Sequence, residues 1–428
     1  MSAPGEGGLV ACHECDHLHQ SIPLPAGGKA VCSRCGALLY RNITNSVDKS
    51  LALYLAALIL LIIANSFPFL SLKLSGRIEE NILLSGAWKL YELGMGELGL
   101  LVFFTSVFFP LLTMLGMLYL LIPARFGWQT PAKGPIYRFI NMLAPFSLVG
   151  VFMLGVLIAI VKLQDIAAVV PGISLYALFG WLIVSTAARS SLEPSVLWPH
   201  TQTAQLKLGS NKSTAQASGL VGCHTCALLM ASSQLNGNDR CPRCSSPMHT
   251  RKHNSLAKTG ALVFTAAILL IPANLYPIMT VIRFGQGEPD TIYTGVIHLI
   301  EGGFIGLALI VFFASIFVPF LKLIVLSLLL VTVKKQSLWR QRDRTLLYRV
   351  TEVIGAWSMV DVFLVGLLAA LVNLDSLATI RPEIGVVFFA GAVIVTMFAA
   401  HSFDPRLIWD RGHDQDPDRA WNRIPAKA

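Results

Sequence analysis

Phe103-Phe104-Thr105-Ser106-Val107-Phe108-Phe109-Pro110 returns 209 residues later as Phe312-Phe313-Ala314-Ser315-Ile316-Phe317-Val318-Pro319. An apolar, aromatic block that recurs at a fixed distance marks a duplicated structural unit. Ala64-Asn65 and Pro68 recur at the same distance as Ala273-Asn274 and Pro277, and Glu92 and Gly94 as Glu301 and Gly303. Further along, Tyr137-Arg138 returns as Tyr348-Arg349 and Ser147 as Ser358, now 211 residues on. The agreement runs through most of each half.

The block also fixes the solvent. The chain has 428 residues, of which 54% are hydrophobic and 13% charged, and its mean hydropathy is +0.63. Soluble domains carry about 25% charged residues, so the chain reads as an integral membrane protein. Apolar runs of about 20 residues cross hydrocarbon as helices, because a helix satisfies its own backbone. Eight runs qualify, near 51–71, 98–122, 142–162, 172–189, 257–280, 304–333, 353–373 and 384–401. Four helices per copy return the chain to its starting side, so the repeat is parallel; an inverted repeat needs an odd number.

The formal net charge of +9 reads first as topology. Residues 1–50 are polar and carry no secretory signal, which predicts a cytoplasmic N-terminus. Lys334, Lys335, Arg340, Arg342, Arg344 and Arg349 follow the sixth run, and Arg125, Lys133 and Arg138 follow the second. Together with the basic stretch 189–258, these fall on the N-terminal side. Glu79, Glu80, Glu288 and Asp290 fall on the other. Residues 71–86 and 279–294 alternate apolar and polar around Ser75-Gly76 and Gly285-Gln286-Gly287, which predicts a short periplasmic β-hairpin in each half. The expected fold is therefore all-α and integral to the membrane, with two tandem modules of four transmembrane helices. The boundaries are a first ribbon at 8–42, a membrane module at 50–190, a Ser/Thr/Gln/Ala-rich linker at 191–220, a second ribbon at 221–251, a second module at 256–403 and a cytoplasmic tail at 404–428.

The ribbons are read from the cysteines. All eight form CxxC pairs: Cys12 and Cys15 with Cys32 and Cys35, then Cys223 and Cys226 with Cys241 and Cys244. In a reducing compartment such pairs indicate metal rather than disulfides. Two knuckles at this separation can set four thiolates tetrahedrally around zinc, so two structural Zn2+ ions are expected, with no open catalytic position. Arg34-Cys35-Gly36 and Arg243-Cys244 suit tight turns. His13, His17 and His224 are expected to be solvated loop residues, and no βαβ pattern supports a thioredoxin-type motif.

Ionisable groups inside spans mark function by default. Lys322 lies three residues after Pro319, with about ten apolar residues on each side, where the first half has Thr113. Asp361 replaces Gly150 and can either pair with Lys322 or sit at the cytoplasmic edge. Lys162 and Asp165 are spaced to meet on a helix, and Asn373 and Asp375 take their place in the second half. Ser106 and Ser315, four residues before their prolines, can bond the carbonyls those prolines free, and Ser315 shares a face with Lys322. Asn65 and Asn274, each three residues before a proline, read as helix terminators.

These features together resemble the paraquat-inducible protein A family over about residues 8–412, most nearly its LetA or YebS-like branch, with the PqiA-like branch beside it. The likeness rests on the two CxxC pairs of pairs, the Ala-Asn-x-x-Pro ends, the Phe-rich block and Trp357-Ser358-Met359-Val360-Asp361-Val362-Phe363. The resemblance implies an inner-membrane subunit that works with a periplasmic MCE-domain tunnel protein to move phospholipids between inner and outer membranes. The family's polar membrane residues would map onto Lys162, Asp165, Ser315 and Lys322. No enzyme is expected: no GxxxxGK[ST] and no Ser-His-Asp set is present. Nor does the first ribbon carry the basic and aromatic platform that nucleic acid wants. Two other readings stand beside this one, a membrane thiol-redox protein and a solute or ion transporter without a tunnel.

Overall fold

A computed structural model describes residues 8–74, 77–82, 88, 91–92, 96–144, 147, 149–163, 168–198, 214–235, 239–283, 286–355, 359–371 and 378–410. Six described helices are long and apolar enough to cross a membrane: Ser46–Ser66, Gly99–Phe126, Ile173–Ser191, Ser255–Leu275, Ile305–Lys334 and Ile384–Ser402. The chain is a multi-pass membrane protein. The expected spans at 142–162 and 353–373 are differently built. Amphipathic helices Lys133–Leu143 and Gln341–Ile354 come first, and shorter apolar helices Val149–Leu163 and Val360–Leu371 follow. The expected runs coincide with the short apolar helices and take in only the last two residues of each amphipathic one.

Within each half, the first and last long helices pack along alanines. Ala57, Ala64 and Ala188 are fully buried between Ser46–Ser66 and Ile173–Ser191. Ala266, Ala273 and Ala399 repeat this between Ser255–Leu275 and Ile384–Ser402. Lipid tails are as apolar as leucine, so such contacts gain from close backbone approach rather than from water exclusion. The halves meet along a seam between Val149–Leu163 and Val360–Leu371, where the rings of Phe152 and Phe363 cross edge to face at 5.6 Å.

The Phe-rich block is not plain α-helix. Phe104–Phe108 and Phe313–Phe317 are π-helical, and the amides of Phe109 and Val318 reach back to the carbonyls of Phe104 and Phe313. The wider turn accommodates the missing donors of Pro110 and Pro319. This corrects the expected serine bonds: the hydroxyls of Ser106 and Ser315 are buried with no hydrogen-bond partner among the described residues, because the bulge has re-spaced the carbonyls. Asn65 and Asn274 do cap their helices, each Nδ2 donating to a carbonyl four residues back, Leu61 and Leu270, at 2.8 Å.

On the side away from the cysteines, Leu70–Leu74 pairs antiparallel with Arg77–Asn81, and Met279–Arg283 with Gln286–Asp290. A third strand joins each sheet, Ala168–Pro171 and Ala378–Pro382, which were not expected. Residues 291–294 belong to no hairpin, for Thr291 caps helix Ile292–Glu301. The third strands lead into the last long helices through Gly172 and Gly385, whose amides donate to the carbonyls of Phe69 (3.0 Å) and Pro277 (3.1 Å). A Cβ on Gly172 would overlap the Pro68 carbonyl, and one on Gly385 the Pro277 carbonyl. Gly172→Ala and Gly385→Ala should each therefore destabilise the protein by about 2–3 kcal/mol through forced backbone shifts, read as a lowered Tm in detergent. A Tm unchanged in both would contradict this packing.

Candidate functional site

The four CxxC knuckles are copies of one turn. In each, the residue after the second cysteine (Asp16, Gly36, Ala227 or Ser245) adopts positive φ, between 56° and 75°. Its amide donates to the carbonyl of the first cysteine at 2.8–3.0 Å. Each first cysteine's amide is held in turn: Cys12 by His17, Cys32 by Ala37, Cys223 by Leu228 and Cys241 by Ser246. The left-handed step folds the chain back so that both sulfurs point inward.

Cys12, Cys15, Cys32 and Cys35 thus converge, all buried, with ligand atoms within 4.8 Å of one another, and so do Cys223, Cys226, Cys241 and Cys244. The shortest sulfur separations are 3.4–3.5 Å. Tetrahedral thiolates at 2.3 Å from one ion stand about 3.8 Å apart, so both sets fit a metal with small relaxation. Hydrogen bonds from Cys12, then Cys15, hold Cys35 down to about 2, and those from Cys223, then Cys226, do the same for Cys241. The neighbouring thiols and burial push the other way at Cys12, Cys15, Cys226 and Cys244, so one thiol of each set gives up its proton first and a bound cation would draw off the rest. His19 was not anticipated: its Nε2 lies 3.2 Å from Cys32 Sγ, because strand Leu18–Gln20 brings it across the knuckle. His224 is not merely solvated, as its Nε2 accepts from Arg406 at 2.9 Å.

Each ribbon docks under the opposite half. Glu14 of the first ribbon pairs with Arg349 (Nε at 3.0 Å), 335 residues away. The four first-ribbon cysteines share a cluster with Val325, Leu329, Tyr348, Phe403 and Trp409 of the second half. Conversely, Arg138 Nη1 donates to the Ser245 carbonyl at 2.9 Å, and a Cβ on Gly134 would stand 2.7 Å from Cys244 Cα. Even the cation–π contacts cross, with Arg34 over Trp409 at 4.5 Å and Arg243 over Trp198 at 5.8 Å. The ribbons also touch one another, Leu9 and Leu18 of the first packing in one cluster with Leu229 of the second, and the linker joins them through the Ala215 amide, which donates to the Asp16 carbonyl at 2.9 Å.

A buried ionic cluster closes this side. Asp404 is 0% exposed; Arg406 Nε and Nη2 donate to it at 2.9 and 2.8 Å, and the Lys252 amide at 2.9 Å. Arg251 bridges Asp410 (2.6 Å) and Asp16 (3.3 Å). The stretch 404–410, expected as the start of a tail, is thus packed, while 411–428 lie outside the described residues.

In the second half, Lys322 is 1% exposed, and its Nζ donates to Thr396 Oγ1 at 2.8 Å and to the Gly355 carbonyl at 3.2 Å. Gly355 leaves room for the amine, since an added Cβ would stand 3.5 Å from Nζ. The first half has Thr113, Ala144 and Ser185 at these places. Asp361 falls in helix Val360–Leu371 and Lys162 in helix Val149–Leu163, but their side chains lie outside the described residues. Asp165, Asn373 and Asp375 lie outside them altogether. At the sheet end of the seam is an apolar cleft lined by Ile158, Ile278, Met279, Ile292, Leu364 and Val365.

Crossed four-cysteine knuckles packed against duplicated membrane helices define the class. The profile of the family Paraquat-inducible protein A matches residues 47–202 and again 256–413, and the chain belongs to that family. It is 32% identical to the intermembrane transport protein PqiA of Escherichia coli (strain K12), over 96% of this chain and 98% of that one. It is 30% identical to the lipophilic envelope-spanning tunnel protein A of the same organism, over 94% and 92%. A probable intermembrane transport protein of Haemophilus influenzae is 27% identical over 94% and 95%. No solved structure matches.

The crossing makes a directional statement. Cys35→Ser should raise hydrogen exchange in helix Gln341–Ile354 of the far half, and Cys244→Ser should raise it in Lys133–Leu143. If each variant loosened the helices of its own half instead, the crossing would be wrong. Asp404 gives a pH test. Burial alone would raise its carboxyl, but the hydrogen bond and charge of Arg406 outweigh this and hold it below the ordinary 3.8. Its contribution is therefore fully present above that value and declines as pH falls below it. Asp404→Asn should cost about 3 kcal/mol at pH 7 by stranding Arg406, and the deficit relative to wild type should shrink below pH 4 in thermal melts.

Proposed function

We propose that the protein is the inner-membrane subunit of an intermembrane lipid-transport system and exchanges phospholipid with a periplasmic MCE-domain tunnel protein. The observation that carries this reading is the apolar cleft at the sheet end of the seam between the halves. Its walls are almost entirely apolar and it adjoins the sheets that would face a tunnel, a foothold for the end of an acyl chain rather than a lipid-sized cavity. The relatives' names, intermembrane transport protein and envelope-spanning tunnel protein, supply the system. They point to transport rather than to an enzyme.

Each half contributes four spans, the short helices Val149–Leu163 and Val360–Leu371 completing the bundles by tilting little or by thinning the bilayer. The ribbons and both termini face the cytoplasm, a reading supported by Lys334, Lys335, Arg340 and Arg342 on the ribbon side and by Glu79, Glu80 and Glu288 on the other. Zinc is the metal of both knuckle sets, since closed four-thiolate shells favour it. Bound there, it would cross-link two short hairpins that have little core of their own.

Lys322 is the moving part. Its amine has only neutral acceptors, Thr396 and Gly355, among the described residues. A buried ammonium so placed is costly. A change in its charge would alter what the second half can hold, with Asp361, Lys162, Asp165 and Ser315 the other polar members of the path. Affinity capture in mild detergent, followed by mass spectrometry, should recover a periplasmic MCE protein, phospholipid and two zinc ions per chain. Lys322→Met should keep partner and zinc but lose at least about tenfold in lipid transfer between vesicles, one charge-assisted interaction's worth. Normal transfer by Lys322→Met would remove the lysine from the mechanism, and capture of neither partner nor lipid would overturn the whole reading.

A further inference from the structure

The turn between helices Val318–Lys334 and Gln341–Ile354 holds a cation that the described protein leaves unsatisfied. Arg344 is 1% exposed. Its Nη2 donates to the Ser337 carbonyl at 2.6 Å, directing the guanidinium at the turn, but Nε and Nη1 are buried with no hydrogen-bond partner. A guanidinium has only donors to offer, so the missing group is an acceptor, and beside a full positive charge the best acceptor is an anion.

The turn is built for one. Helix Gln341–Ile354 begins after Arg340, which adopts φ 43° and places no side-chain cap on the first turn. Its N-terminus therefore adds dipole and amide donors. Lys334, Lys335 and Arg342 are exposed around it and form no ion pair among the described residues. Asp343, in the first turn of the helix, is engaged by Arg340 at 3.6 Å.

Depth identifies the anion. Leu338 and Trp339 are exposed in the turn, and Leu346, Val350 and Val353 form an exposed apolar stripe on the following helix. A stripe of this kind beside a span end lies at the hydrocarbon boundary, with the tryptophan at headgroup level. The anion available at that level is lipid phosphate, whose oxygens match the two open guanidinium donors. In the first half the equivalent residue is Lys133, whose Nζ lies over the Trp198 ring at 5.3 Å and needs no ligand. We infer that the turn 334–344 binds the phosphate of an anionic phospholipid from the ribbon-side leaflet, with Arg344 Nε and Nη1 as the buried donors. This lipid is a resident one, outside the cleft and independent of the transport reading.

The test uses the full chain in a neutral detergent, with thermal unfolding followed by tryptophan fluorescence. Dihexanoyl-phosphatidylglycerol should raise Tm saturably, and dihexanoyl-phosphatidylcholine and inorganic phosphate at equal concentrations should not. Arg344→Gln should weaken the effect about tenfold and Lys334→Gln/Lys335→Gln about threefold, whereas Arg125→Gln on the first-half turn should leave it unchanged. Equal shifts from the two lipids, or wild-type binding by the lysine double variant, would overturn the site. An equal shift from inorganic phosphate would overturn the assignment to lipid. Should Arg344→Gln fail to fold, the lysine variant decides alone.

Discussion

Glu14 and Arg349 hold the architecture together across 335 residues of chain. A ribbon of this size cannot bury enough apolar surface to be stable unaided. The backbone bonds of its cysteine knuckles fix the turns, but its inner face still needs a floor. The first ribbon finds that floor in Tyr348, Phe403 and Trp409 of the second half, and the second ribbon finds its own around Tyr137, Trp198 and Gly134 of the first. Because the supports are exchanged, neither half is complete without the other. The ionic cluster of Asp404, Arg406, Arg251, Asp410 and Asp16 then ties both ribbons to the end of the last helix.

Against this near-symmetric frame, the differences between the halves carry the chemistry. Both keep the π-helical turn ahead of a proline, the asparagine cap and the glycine that admits the third strand. Among the described side chains, the buried amine is in the second half, with glycine in place of alanine where that amine needs space. Only the second has arginine where the first has a lysine resting on tryptophan. Duplication supplied two similar scaffolds, and among the described membrane-helix side chains it is the second that holds a buried cation.

Much of this was legible in the residues. The Phe-rich block exposed the duplication, and the CxxC spacing located both knuckle sets, because a ligand pattern depends only on local chain geometry. The third strands were not legible: Ala168–Pro171 and Ala378–Pro382 are too short to show alternation, and their pairing is set by residues about a hundred positions away. The unpaired serines were misjudged because a π-bulge moves carbonyls by one residue without any mark in composition. His19 and Thr396 escaped notice because each meets its partner only after the fold has formed. The crossing itself left no local trace, although the repeated arginines and tryptophans that make it were all in view.

Exchanged supports also bear on how the chain is made. During synthesis the first ribbon precedes its seat by about three hundred residues, since that seat is built from Val325, Leu329, Tyr348, Phe403 and Trp409. Until the seat is made its docking face must wait unburied. A prematurely terminated chain would display that face permanently, a ready mark by which quality control could tell an unfinished copy from a finished one.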